Sequence, residues 1–325
     1  MVSAINLRHE GVVYELTGAT DKKIQIWGSN SPDPVKTFYL RLNDATVNGG
    51  IDIYNPYGAK LVIEVADGTT NTVKKVYAVD LAITGKGTLN ASDLGSTQQN
   101  SNDSRHLTSA LSIKDTTSNV TTTGNPSQWN GICVLDGDAN VTYTTATDYA
   151  PLVLGQTYNF SHSLTRKGNS KLYCLHSNAD DPSNYAVDGL SGYNGSITLQ
   201  DNAYLEAQGR AASGGNAGCG VVCDGDITVK DNATLKATAQ GPAISTWGDV
   251  KAFGGKIIAK SSGSNGIYAS GAISIGNAEG EIEGFYPALF GNGNVSVDNS
   301  VLVATSTDDV AIYSASGTVA LKNSK

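Results

Sequence analysis

Two short acidic motifs are the first places in this chain where chemistry could reside. Asp136-Gly137-Asp138 and Asp224-Gly225-Asp226 carry the carboxylate oxygens that a hard cation such as Ca²⁺ takes as ligands. Asp-Gly is also a strong tight-turn signal, and that reading needs no ligand. Asp136, Asp138, Asp224 and Asp226 are therefore kept as Ca²⁺ candidates of second rank, and no cofactor is expected. Asp180-Asp181 and Asp308-Asp309 do not read as catalytic dyads, because neighbours on an extended chain point to opposite sides. The histidines His9, His106, His162 and His176 show no metal-ligand spacing. Cys174 and His176 would make a thiol nucleophile only with a third, orienting group, and none is identifiable.

Cys133, Cys174, Cys219 and Cys223 are too few to staple a chain of 325 residues. Cys219 and Cys223 flank Gly220-Val221-Val222 in a stretch that reads as extended, where four residues span about 13 Å. That separation suits neither a disulfide nor a shared metal. The glycine-rich run at 214–220 precedes a strand and not a helix, so it is no phosphate loop.

The elements that must position any site are short strands. Glycine is frequent at 37 residues and proline sparse at 8, and Ser, Thr, Asn and Asp fill most polar positions, as many turns between strands require. No dozen residues keep the apolar spacing of a helix. From residue 220 the sequence repeats. Gly220-Val221-Val222, Ala243-Ile244-Ser245, Gly266-Ile267-Tyr268, Ala288-Leu289-Phe290 and Ala311-Ile312-Tyr313 start units spaced 23, 23, 22 and 23 residues apart. A second strand follows in each, with period-two alternation in Asp226-Ile227-Thr228-Val229, Ala272-Ile273-Ser274-Ile275 and their equivalents. A turn then carries Asn232, Gly254-Gly255, Asn277, Asn299 and Asn323, residue types that tolerate positive φ. A third short strand closes the unit.

Three strands and three bends per unit of about 23 residues predict an all-β fold, a right-handed parallel β-helix. Each coil buries its apolar side by stacking on the next at about 4.8 Å. The expected layout is an N-terminal cap over 1–36 and a single helical domain over 37–325. A polar excursion near 96–128, broken only by Leu107 to Ile113, and an insertion near 208–219 interrupt it.

Within the first strands the middle residues Val221, Ile244, Ile267, Leu289 and Ile312 are aliphatic and should face the core, so the residues after them should face out. That outward column reads Val222, Ser245, Tyr268, Phe290, Tyr313, placing three rings on consecutive coils with Trp247 at their border. A flat ladder of rings suits the apolar face of a sugar, and tyrosine adds a hydroxyl. The outward column of the second strand, Thr228, Lys251, Ser274, Ser296 and Ala320, offers no carboxylate pair for glycoside hydrolysis. Glu206, Lys236 and Glu283 on the third strand read as solvated surface.

The segments LNDATVNGGIDIYNPYGAKLVIEVADG, LAITGKGTLNAS, DGDITVKDNATLKATA and AIYSASGTVALKN resemble the right-handed β-helix surface proteins of anaerobic and gut bacteria described as carbohydrate-binding-domain proteins. By fold these are relatives of pectate lyases. The resemblance covers most of residues 37–325, lies in repeat grammar, and implies an extracellular polysaccharide binder or adhesin.

The formal charge of −8 argues against a general nucleic-acid binder, which needs a Lys/Arg field. No apolar run approaches the roughly 18 residues that span a bilayer. The opening Met-Val-Ser-Ala-Ile-Asn lacks the regions of a secretory signal. Either the chain stays in the cytoplasm or a leader has been removed, and its acidic, turn-rich, Tyr-rich composition favours an extracellular or cell-surface setting. The expected function is non-catalytic polysaccharide binding through Tyr268, Phe290, Tyr313 and Trp247. One alternative is a polysaccharide lyase or glycoside hydrolase using Asp136, Asp138, Arg105 or Arg166. The other is a structural stalk within a larger surface protein.

Overall fold

The computed structural model describes residues 4–28, 35–53, 59–96, 110–122, 126–155, 162–177, 186–212 and 217–325. Strands account for all the regular structure there, and no helix occurs among the described residues. The strands form sheets of 5, 8 and 21 members, and every pairing between them is parallel, each strand bonding to its equivalent one repeat away. Over the C-terminal units Ile227 lies beside Val250, Val250 beside Ile273, Ile273 beside Val295 and Val295 beside Val319. The first strands stack as Val221–Cys223, Ile244–Thr246, Ile267–Ala269, Leu289–Gly291 and Ile312–Ser314. The 21-stranded sheet joins the second and third strands because Ile227–Ala239 and Val250–Ser261 run through the bend between them. The 5- and 8-stranded sheets lie in line. Leu94–Ser96 abuts Ser127–Trp129 so closely that a Cβ on Gly95 would sit 2.2 Å from the Gln128 carbonyl oxygen.

Alternation of side chains explains the core. In Ile273–Gly276 and Val295–Asp298 the aliphatic residues are buried and the serines between them half-exposed. One interior column runs Phe38, Leu61, Leu81, Leu111, Cys133, Leu164, Ile197, Ile227, Val250, Ile273 and Val295, each at most 1% exposed. A fully buried residue of this kind contributes roughly 1.5–3 kcal/mol over its exposed state, so the stack as a whole makes a core that no single unit could. Near the middle, Trp129 and Tyr143 fill the interior edge to face, with centroids 5.6 Å apart. Their polar ends are satisfied: Trp129 Nε1 donates to the Tyr143 hydroxyl at 2.8 Å, which donates to the Leu94 carbonyl at 2.7 Å.

The bend between second and third strands holds a residue of positive φ in each of thirteen successive units, Gly18, Asp44, Gly68, Gly85, Asp115, Gly137, Gly168, Asp201, Asp231, Gly254, Asn277, Asn299 and Asn323, and a second, Gly255, beside Gly254. At Gly85, with φ of 102°, a Cβ would lie 2.1 Å from the Val65 carbonyl oxygen, so only glycine fits. Elsewhere Asp and Asn tolerate the left-handed region and bond locally. In one unit the sequence reading picks the wrong residue: Asp231, and not Asn232, adopts the positive φ of 60°. Asn232 instead donates to Asn202 Oδ1 at 3.3 Å.

Two of three stretches read as irregular carry the same pattern. Within the expected cap over 1–36, Ala4–Leu7 pairs in parallel with Lys23–Ile26, and Val13–Thr20 with Lys36–Val47, so the repeat begins before residue 37. Within the expected excursion over 96–128, Ala110–Lys114 and Thr117–Thr122 are regular strands in the stacks. Residues 97–109, with Arg105 and Leu107, lie outside the described residues. In the insertion near 208–219, two antiparallel bridges, Val187 with Arg210 and Ala211 with Ala217, tie the described residues together.

Candidate functional site

The column of outward residues on the first-strand face is continuous. Val222, Ser245, Tyr268, Phe290 and Tyr313 lie directly above one another. The Tyr268 and Phe290 rings stack with centroids 5.2 Å apart and planes at 11°, and Phe290 and Tyr313 at 5.3 Å and 28°. This spacing is the strand-to-strand distance of the sheet slightly opened, so the parallel register itself builds the ladder. Tyr268 and Phe290 are half-buried and Tyr313 is exposed. Trp247, 73% exposed, sits at the bend two residues past Ser245. It makes no ring contact with the ladder among the described residues.

Beside the rings runs a groove of about 520 Å³, lined by Phe290 and Tyr313 together with Tyr286, Pro287, Asn265, Asp309 and Val310. Tyr286 and Val310 are about half exposed, at 49% and 51%. Phe285 meets the Tyr286 ring edge to face at 5.3 Å. The Asn265 amide donates to the Pro287 carbonyl at 3.0 Å and the Val310 N–H to the Asp309 carboxylate at 2.7 Å, fixing the rim. Sequence reading missed Tyr286 and Val310 because both lie in the bend before the first strand, where alternation says nothing about direction.

The acidic motifs serve the backbone. Asp226 Oδ1 accepts the Asp249 N–H at 2.9 Å and its Oδ2 accepts Lys251 Nζ at 2.7 Å. These two interactions hold the Asp226 carboxyl below the usual range. Asp224 accepts the Asn194 N–H at 2.8 Å. Asp136 accepts the Gly137 N–H at 2.7 Å and pairs with Lys167 at 3.1 Å, and Asp138 accepts from Asn169 at 3.0 Å. Asp138, Asp224 and Asp226 bond to the equivalent bends of neighbouring units, and no group of three or more His, Cys, Asp or Glu gathers as metal ligands among the described residues.

Of the residues of the enzymatic alternative, Arg105 lies outside the described residues, and Arg166 does not join Asp136 and Asp138. Arg166 lies in the core at 0% exposure, between Leu135 and Leu199 of the neighbouring units. Cys174 and His176 share the inward face of Lys171–His176, but burial pushes the Cys174 thiol up to about 12, so it holds its proton. Cys219 and Cys223 are both free thiols. On the third strand Lys236 pairs with Glu206 at 2.8 Å, and Lys260 pairs with Glu281 and, at 3.0 Å, with Glu283. That face is a lattice of exposed ion pairs. Set against models of known families, curated proteins and solved structures, the chain matches none of them.

Proposed function

We propose that the chain is a right-handed parallel β-helix of a bacterial surface or extracellular protein, and that it binds polysaccharide without catalysis. The supporting observation is the ladder of Tyr268, Phe290 and Tyr313, stacked at 5.2 and 5.3 Å beside an open groove. Rings so stacked face one another and present a row of edges that the sheet register has already fixed, which lowers the cost of ordering them, and the ring at the end of the row, Tyr313, is exposed. Tyr313 and Tyr286 add hydroxyls, and Asn265 and Asp309 add polar groups on the rim. Such a mixture of rings and a few polar groups is what a carbohydrate needs. Trp247 would meet a longer chain running along the same face.

A glycan array on the purified chain, with and without EDTA, followed by a product assay on each glycan bound, tests this reading. Binding with no new reducing or unsaturated ends is expected, with Phe290→Ala and Tyr313→Ala each weakening it about five- to tenfold, the effect of losing one stacking contact of roughly 1–1.5 kcal/mol. Full binding by both variants, with unchanged melting, would refute the ladder.

A further inference from the structure

Two ladders of side chains run down the bend between second and third strands, and one unit interrupts both. Just past the positive-φ position, Asn169 Nδ2 donates to Asp138 at 3.0 Å, Asn202 Nδ2 to Asn169 Oδ1 at 3.0 Å and Asn232 Nδ2 to Asn202 Oδ1 at 3.3 Å. At the positive-φ position itself, Asn299 Nδ2 donates to Asn277 Oδ1. In both columns the amide nitrogen points to the amino-terminal neighbour and the oxygen to the carboxy-terminal one. Between Asn232 and Asn277 stands the unit whose bend is Gly254-Gly255, which brings no side chain to either column. Among the described residues, Asn232 Oδ1 therefore has no donor and Asn277 Nδ2 no acceptor. The stack itself keeps the gap open. A Cβ on Gly254 or Gly255 would lie 2.6 Å from the Asp231 carbonyl oxygen or 2.5 Å from that of Ala233.

The gap is a cavity of about 570 Å³ whose lining includes Asp231, Asn232, Gly254, Gly255 and Asn277. Its charges are occupied: Asp231 Oδ2 accepts the Asp201 N–H at 3.1 Å, and Lys256 and Glu279 pair at 3.7 Å on the rim. Phe253, 55% exposed, precedes Gly254. Its ring leans over the next unit, where a Cβ on Gly276 would lie 3.8 Å from its Cδ1. Gly276 adjoins Asn277, so an apolar ring borders the polar gap.

We propose that this gap binds the acetamido group of an N-acetylated sugar in a glycan. A carboxamide is what the interrupted ladders lack: its N–H donates to Asn232 Oδ1 and its carbonyl accepts from Asn277 Nδ2, the polarity that the rungs on either side keep. Units lie about 4.8 Å apart, so a group in the place of the missing rung reaches both neighbours. The pyranose ring then packs on Phe253. With the nearby charges paired among themselves, the site favours a neutral ligand over a uronate or an unacetylated amine. The proposal shares with the preceding reading only that the ligand is a glycan. It adds a sugar class and a site that needs neither Phe290 nor Tyr313.

Titration calorimetry with β-1,4-linked tetramers of N-acetylglucosamine, glucosamine and glucose tests it. The acetylated tetramer should bind, and the other two at least about tenfold more weakly, since neither carries the amide that makes both hydrogen bonds. Asn277→Asp tolerates the same positive φ and still accepts from Asn299, but it turns the donor into an acceptor. Asn277→Gly keeps the bend and removes the donor. Each should weaken the acetylated tetramer about five- to tenfold, and Phe253→Ala, at an exposed position, should do so by a similar factor. Tyr313→Ala should leave this affinity unchanged, which separates the gap from the ring ladder. Equal affinity for the acetylated and glucose tetramers, or parent-like binding by both Asn277 variants, would overturn the assignment. Loss of binding in Tyr313→Ala alone would move the sugar to the ladder and overturn it as well. An asparagine-containing tripeptide bound as tightly as the sugar would overturn the glycan in favour of a peptide. No binding of the acetylated tetramer at millimolar concentration would sink this site while leaving the glycan-array test of the ladder untouched.

Discussion

Replacing Arg166 with leucine should stabilise the protein. The guanidinium is at 0% exposure in a column whose neighbours, Leu135 and Leu199, are aliphatic and equally buried. Its Nη1 donates to the Tyr204 carbonyl, while Nε and Nη2 have no hydrogen-bond partner among the described residues. Burial drives its pKa down from 12.5 to about 9. Holding that charge in the core therefore costs several kcal/mol, consistent with the effective penalty for a buried ion. Leucine recovers the aliphatic column but loses the packing of the arginine stem, so the net gain should be about 1–4 kcal/mol, the range seen when buried charges yield to apolar residues. Chemical denaturation of parent, Arg166→Leu and Leu205→Ala at pH 7 is the assay. Leu205→Ala, at a fully buried site, should lose about 2–5 kcal/mol and calibrates the scale. Sign and pH range follow from the depressed pKa. Below about 9 both states hold the proton and the penalty is present in full. As pH rises from there towards the unfolded value, the native state sheds the proton first and the penalty fades. The advantage of Arg166→Leu over the parent should thus shrink above pH 9. If Arg166→Leu falls alongside Leu205→Ala, the guanidinium is paired inside the core and the reasoning fails.

The bend column predicts that Asn277→Ala loses about 1–2 kcal/mol, because alanine keeps the Cβ but lacks the polar side chain that lets asparagine tolerate the left-handed region, whereas Asn277→Gly stays within about 0.5 kcal/mol; paired denaturation curves decide it. The thiols of Cys133, Cys174 and Cys223 are buried, and burial raises the pKa of all three. They should resist a thiol reagent at pH 8 until denaturant is added, and labelling of native Cys174 within minutes would contradict the packing.

How much was legible beforehand differs along the chain for a physical reason. From Val221 onward no loop exceeds a tight bend, so equivalent residues recur at 22 to 24 positions and the register can be read directly. The ladder rings follow from that register and from alternation alone. Further upstream the repeat runs from 18 residues, Val76 to Leu94, to 38, Leu152 to Leu190, and a fixed period loses the thread. Thr117–Thr122 was mistaken for an excursion because its inward residues are Ser118, Val120 and Thr122, so two of three core positions are polar. A cavity of about 610 Å³ floored by Gln128, Val153 and Ser191 left no trace in the spacing because its walls come from segments around 126, 148 and 186, which meet only when the units stack. Arg166 reads as a participant in the enzymatic alternative because composition does not report that a strand's last residue faces inward.

The thirteen left-handed bends also divide the molecule into a part that cannot change length and a part that can. From Leu81 to Leu89 onward, paired inward positions on either side of that bend stay seven or eight residues apart, as in Ile197 and Leu205, Val250 and Ile257, or Val295 and Leu302. Every added residue in the longer units is therefore taken up at the other two corners. One edge of the protein acts as an inextensible seam that meters the pitch, while the remaining edges are free to sprout segments of any size. New binding surfaces can be acquired, or engineered, by lengthening those two edges without retuning the stack, whereas an insertion at the seam beyond Leu81 would break a spacing that every later unit keeps.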